Sequence, residues 1–179
     1  MRIISGQYKG KQINPPSGFS ARPTTDYARE SLFNILSNRI DFESLAVLDL
    51  FSGTGSISYE FASRGAKTIH LVEQDMNNIR FIRKMLNEMN LRNIKALHLD
   101  ARDFLKTCKT KYDIVFADPP YDLPWLKKIP ELVSDADILS DDGFFILEHP
   151  RDISFSGTGD FFEHRNYGSV NFSFFRKKS

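Results

Sequence analysis

From Ala46 onward, short apolar runs of strand length alternate with stretches that place an apolar residue every three or four positions. The runs predict strands over 46–51, 68–73, 94–100, 112–118 and 143–148. The intervening stretches predict helices over 56–63, 77–87, 101–107 and 125–133. In the second of these, Ile79, Ile82, Met85 and Leu86 share one face, opposite a basic one. Near-continuous apolar strands separated by helices imply a parallel sheet covered on both faces. The end of the chain breaks the alternation. Residues 161–167 and 169–175 flank Gly168, and Val170, Phe172 and Phe174 fall on one face, which predicts an antiparallel hairpin. The beginning stands apart as well. Arg2-Ile3-Ile4 and Lys11-Gln12-Ile13 flank a glycine-bearing turn and read as a small hairpin. A helix then opens at Thr24, Thr25 or Asp26 and runs to about Asn38, with Ala28, Leu32, Ile35 and Leu36 on one face. The expectation is one α/β domain over 1–179, with a core over 41–179 and a hairpin-and-helix extension over 1–40.

Composition adds little until it is mapped along the chain. A chain of 179 residues, 41% hydrophobic and 26% charged, is ordinary for a globular domain. The net charge of +1 demands no anionic partner, but its distribution is uneven. Arg2, Lys9, Lys11, Arg22, Arg29 and Arg39 outnumber Asp26 and Glu30 in the first forty residues. Between Glu131 and Glu148 every charged residue is acidic. A basic front can hold nucleic acid on one face, although a mixed solvated surface explains the same charges. The single cysteine, Cys108, excludes an intrachain disulfide and reads as a packing residue. No signal-peptide pattern and no run of about 18 apolar residues occurs, so a cytoplasmic protein with no membrane span is expected.

The candidate chemistry lies where the predicted strands end. Asp118-Pro119-Pro120-Tyr121 follows an apolar strand. Two prolines fix two φ angles and remove two backbone donors, leaving a rigid corner rich in acceptors beside a flat ring. Such a corner suits a planar group that carries an NH₂; a plain strand-ending turn is the alternative. Gly53-Thr54-Gly55 lets the backbone approach a ligand, and Glu73, at the end of the next strand, can accept from two ribose hydroxyls. Asp100 can accept from an adenine amine, or cap the helix that follows it. Dinucleotide turns usually need a glycine or alanine where this chain has Ser58, and the acidic Asp49 ahead of the turn suits a cofactor with an ammonium group and a cationic sulfur. All these positions belong to strand carboxyl ends, where open parallel sheets bind ligands.

These residues carry a resemblance. The stretch 47–55 together with Glu73 is similar to the cofactor motif of class I S-adenosylmethionine-dependent methyltransferases. Asp118-Pro119-Pro120-Tyr121 resembles the motif of those that methylate exocyclic amino groups. The opening residues 1–6, Arg22-Pro23-Thr24 and the stretch 29–34 are similar to the bacterial 16S ribosomal RNA guanine-N2 methyltransferase family. The resemblance implies a Rossmann-like, mostly parallel seven-stranded sheet with a C-terminal antiparallel hairpin. It implies S-adenosylmethionine as cofactor and S-adenosylhomocysteine as product, with ribosomal RNA or a small-subunit assembly intermediate as substrate. Cofactor contacts would come from Asp49, Phe51, Ser52, Gly53, Thr54, Gly55, Glu73, Gln74, Asp100, Ala101, Asp118 and Thr24. Arg2, Tyr8, Lys9, Lys11, Arg22 and Arg29 would meet RNA, with Arg29 alternatively bordering the cofactor. The chain departs from the family at Ser56, Ser169 and Val170.

An aryl amine is a poor nucleophile, because its lone pair is spread into the ring. Asp118 and the Pro119 carbonyl are expected to accept its two N–H bonds and favour rehybridisation, with Pro120 holding the corner rigid. Tyr121 is expected to stack on a base drawn out of its helix, a contact worth about 1–3 kcal/mol. No metal is required, since the methylated nitrogen sheds its proton readily, and a monomer suffices. Two rivals share some of these features: methylation of adenine or cytosine amino groups in another RNA or DNA, and a nucleoside-cofactor-binding assembly factor without turnover.

Overall fold

A computed structural model of the chain describes residues 1–16 and 25–177. Arg22 and Thr24, two of the expected contact residues, lie outside the described residues. Seven strands form one sheet: β1 Ala46–Asp49, β2 Thr68–Glu73, β3 Ile94–His98, β4 Tyr112–Ala117, β5 Leu139–His149, β6 Phe161–Tyr167 and β7 Val170–Arg176. Their order is β3-β2-β1-β4-β5-β7-β6. The first five run parallel, while β7 is antiparallel to both β5 and β6. The chain moves outward from β1 in one direction, then returns to pair β4 with the other side of β1. A crevice opens between neighbouring strands at such a reversal.

Among the described residues five α-helices cover the sheet: α1 Asp26–Ser37, α2 Ser56–Ser63, α3 Met76–Glu88, α4 Ala101–Thr107 and α5 Ile129–Asp135. Side chains alternate across each strand and build a core on each face. Val47, Ile69, Ile114 and Phe116 pack with Leu32, Phe33, Phe61 and Ile82 on one face. Leu48, Val72, Val115 and Leu147 pack with Phe104, Leu105, Ile129 and Val133 on the other. Leu32, Phe33, Ile82 and Ile129 are fully buried, and burying a side chain of this size contributes about 1.5–3 kcal/mol.

Three helices are capped by a carboxylate or hydroxyl one residue ahead of them. Thr25 accepts from Ala28 N–H, Asp75 from Asn77 and Asn78 N–H, and Asp100 from Arg102 N–H. The helix expected over 125–133 forms later. Residues Leu126–Lys128 make a 3₁₀ turn, and α5 starts at Ile129 because Pro130 fits only in a first turn. The strand expected over 143–148 begins four residues earlier, at Leu139.

The front hairpin is smaller than expected. A single bridge, Arg2 to Gln12, replaces two strands. The segment is held instead by α2. Ile4 and Ser5 N–H donate to the two Glu60 carboxylate oxygens at 2.8 and 3.1 Å. Gln7 N–H donates to the Ser63 carbonyl at 2.7 Å, and Tyr8 N–H to Ser63 Oγ at 2.9 Å. Gly6, at φ +80°, passes so close that a Cβ there would lie 1.8 Å from the Ser63 carbonyl oxygen. Any side chain would push the segment off the helix.

Candidate active site

The turn after β1 sits at the point of reversal. Leu50 N–H donates to Phe116 O and Ser52 N–H to Val72 O, which ties the turn to both neighbouring strands. Gly53 and Gly55 have φ of +53° and +85°, left-handed backbone that a side chain disfavours. Glu73, at the end of β2, accepts from Gly53 N–H at 2.8 Å and from Asp75 N–H at 2.7 Å. It therefore fixes the glycine turn and the start of α3 at once. Burial raises the Glu73 carboxyl above its ordinary value, against these two hydrogen bonds. Four lone-pair sites per carboxylate leave Glu73 able to accept from a ligand as well.

A cavity of about 580 Å³ opens above these strand ends, within the range of small-molecule sites. Phe51, Ser52, Gly53 and Thr54 line its floor, Glu73 and Gln74 one side, and Asp100 and Ala101 another. Asp118, Pro119, Pro120 and Tyr121 close it from β4. The structure thus brings the glycine turn and the proline corner to one space. Asp100 is the N-cap of α4 and still lines the cavity. The Tyr121 hydroxyl donates to Glu148 at 3.2 Å.

Three expected residues are placed differently. Asp49 does not line the cavity; it is 1% exposed and sits beneath the turn. Its Oδ2 accepts from Ser58 Oγ at 2.8 Å, and its Oδ1 is buried without a hydrogen-bond partner. Burial, reinforced by nearby Glu73, raises the Asp49 carboxyl to about 7. Gly55 also lies outside the cavity wall, as the residue that turns the chain into α2 against the Tyr59 ring. Arg29, expected to meet RNA, is 1% exposed. Its guanidinium donates to the Arg2 carbonyl at 2.6 Å and to Asp26 at 2.8 Å, so it braces α1 against the front segment. Arg2, Lys9 and Lys11 are exposed, and Tyr8 is half-buried against the core.

Other residues join the site without having stood out in the sequence. Trp125 lines the cavity beside Phe51, ring centroids 5.8 Å apart, and carries the Arg102 guanidinium 5.0 Å from its own centroid. Asn78 and Thr25 also line it. Glu148 ends an apolar run just as Asp118 does, the one signal that could have found it. Among the described residues the lining is markedly acidic: Glu73, Asp75, Asp100, Asp118 and Glu148 face one basic residue, Arg102. A pyrophosphate would be repelled there, whereas a cationic ligand and the N–H edge of a base are matched. Among the described residues no group of His, Cys, Asp and Glu is placed to hold a metal ion, and no helix is long and apolar enough to cross a membrane.

Residues 1–176 match the model of a protein family described as Conserved hypothetical protein 95. This chain belongs to that family. A relative named Ribosomal RNA small subunit methyltransferase D, from Escherichia coli (strain K12), is 34% identical over 83% of this chain and 74% of its own. A solved structure of a hypothetical protein from Thermus thermophilus superposes with a TM-score of 0.87 at 26% identity, covering 98% of this chain and 99% of that one. The T. thermophilus 16S rRNA N2 G1207 methyltransferase, solved with AdoMet and guanosine, shares the fold: TM-score 0.71, 23% identity, 89% of this chain and 45% of that one. The family member described here therefore has the Rossmann-like methyltransferase fold, with its parallel sheet and antiparallel C-terminal pair.

Proposed function

We propose that this chain transfers the methyl group of S-adenosylmethionine to the exocyclic N2 amine of a guanine in small-subunit ribosomal RNA, in the bacterial cytoplasm. The observation that carries this reading is the single acidic cavity shared by the glycine turn and the Asp118-to-Tyr121 corner. The relatives named for ribosomal RNA methylation support it.

The cavity fits the cofactor. Glu73 would accept from the ribose hydroxyls, Asp100 and Ala101 would meet the adenine, and Phe51 and Trp125 would flank it. The cofactor supplies a methyl group on a cationic sulfur, to which the surrounding carboxylates are complementary. Asp118 and the Pro119 carbonyl hold the amine through its two N–H bonds, which turns its lone pair out of conjugation with the ring. As positive charge grows on that nitrogen, the Asp118 carboxylate stabilises it. Orientation supplies much of the remainder, about 7 kcal/mol when the geometry is good. Tyr121, hydrogen-bonded to Glu148, offers its ring to the extruded base.

RNA would be gripped outside the acidic cavity, since phosphates are repelled within it. Arg2, Lys9 and Lys11 on the front segment are exposed and basic. Tyr27 is 66% exposed and meets Tyr167 edge-on at 6.2 Å, next to Thr25 at the cavity wall. This pair offers a flanking base a stacking surface. We propose that the chain acts as a monomer.

Asp118→Ala tests the chemistry: methyl transfer should fall by at least about 100-fold while cofactor binding survives. Full activity in that variant would overturn the mechanism. Radiolabelled cofactor offered to small subunits, naked ribosomal RNA and DNA tests the substrate, and labelling of DNA alone would overturn it.

A further inference from the structure

We infer that Glu148 selects guanine among the amino-bearing bases by accepting its N1–H, beside the amine held at Asp118. The inference rests on the guanine-N2 reading above.

The geometry starts from the sheet. β4 and β5 run parallel, with Ala117 opposite Leu147. The next residues, Asp118 just past the end of β4 and Glu148 still within β5, therefore lie side by side, on strands about 4.8 Å apart. Both line the cavity together with Tyr121. Glu148 is 3% exposed, follows the apolar Ile146 and Leu147, and lies opposite Phe172 on β7. A buried carboxylate at such a place is costly unless hydrogen-bond donors meet it. The Tyr121 hydroxyl donates to its Oε1, and a carboxylate can accept about four hydrogen bonds in all, so this one contact does not saturate it.

The base edges differ in the way two adjacent carboxylates can read. Guanine presents N1–H next to its N2 amine, donor beside donor. Adenine presents its amine next to the N1 lone pair, and cytosine its amine next to the N3 lone pair, donor beside acceptor. Two carboxylates side by side complement the first edge and repel the second at one position. A proline corner alone grips any exocyclic amine. The second carboxylate makes the grip specific.

The test uses a base that keeps the reacting amine and loses the neighbouring donor. In 2,6-diaminopurine the 2-amino group remains, and N1 becomes an acceptor. The nucleotide methylated by the wild-type chain is first mapped in 16S ribosomal RNA. The RNA is then rebuilt by splint ligation with guanine or 2,6-diaminopurine at that position. Wild type should prefer guanine in kcat/KM by about 10- to 100-fold, the discrimination of one good base contact. In Glu148→Gln the amide still accepts from Tyr121 and can turn its NH₂ to the N1 lone pair, so the preference should shrink by about tenfold. Unchanged binding of S-adenosylmethionine by calorimetry confirms that the variant is folded. An equal loss on both RNAs, with the ratio unmoved, would reduce Glu148 to a support for Tyr121 and overturn this inference alone. Failure of the wild type to methylate the guanine RNA would overturn the underlying function and the inference with it.

Discussion

Asp49→Asn should flatten the dependence of folding stability on pH. In the folded chain the Asp49 carboxyl is raised from 3.8 to about 7, chiefly by burial, with Glu73 acting in the same direction and the Ser58 hydroxyl opposing both. Between those two values the folded state holds a proton that the unfolded state has released. Stability from this group is therefore greatest in acid and falls as pH rises, by about 1.4 kcal/mol per pH unit, levelling off above about pH 7. The full difference is about 4 kcal/mol, of which about 2 kcal/mol is lost between about pH 5.5 and about pH 8. Asparagine has the same shape, stays neutral, and can still accept from Ser58 Oγ. Urea unfolding of both proteins at the two pH values measures the effect, read from midpoints at constant m. The stability of the variant relative to wild type should be about 2 kcal/mol more favourable at the higher pH. Parallel pH curves would refute the argument, because they would mean that Asp49 titrates alike in both states.

Other consequences concern the front segment. Glu60→Ala removes the acceptor of Ile4 and Ser5 N–H and the partner of Arg64. A loss of about 2 kcal/mol is expected by denaturant unfolding, together with protease cleavage within residues 1–16, and an uncut segment would show that Glu60 does not hold it. Reversing Lys9 and Lys11 to Glu should weaken RNA binding and lower the slope of log K against log salt by about 1.5, while cofactor affinity stays the same. An unchanged slope in filter binding would move the RNA face elsewhere.

Local chemistry made much of this fold legible. The spans of α2, β2 and α4 match those read from hydrophobic spacing, because each is bounded by a residue with a short-range role: Gly55 turning the chain, Glu73 ending a strand, Asp100 capping a helix. Pro130, whose ring fits only in a first helical turn, marks the start of α5, which the apolar pattern places four residues too early, at Trp125. The glycine turn and the proline corner were equally plain, since conformational restriction acts within a few residues. Their meeting in one cavity followed from strand polarity alone.

What the sequence could not express was direction and distance. Asp49 reads as a cavity ligand, yet its carboxylate points beneath the turn to Ser58, an orientation set by the packing of α2 on β1. Arg29 reads as a surface cation, but the front segment folds over it and supplies the Arg2 carbonyl. Glu60 and Ser63 look like ordinary helix residues until a segment more than fifty positions earlier in the chain brings its amides to them. Glu148 belongs to an acidic run in the sequence, and only the register of β4 against β5 sets it beside Asp118 in the fold. The sequence by itself determined which groups can accept, cap and turn, since these are properties of single residues and their near neighbours. Tertiary structure decided which of them face the same space, since side-chain partners across a sheet are set by strand pairing and burial rather than by position along the chain.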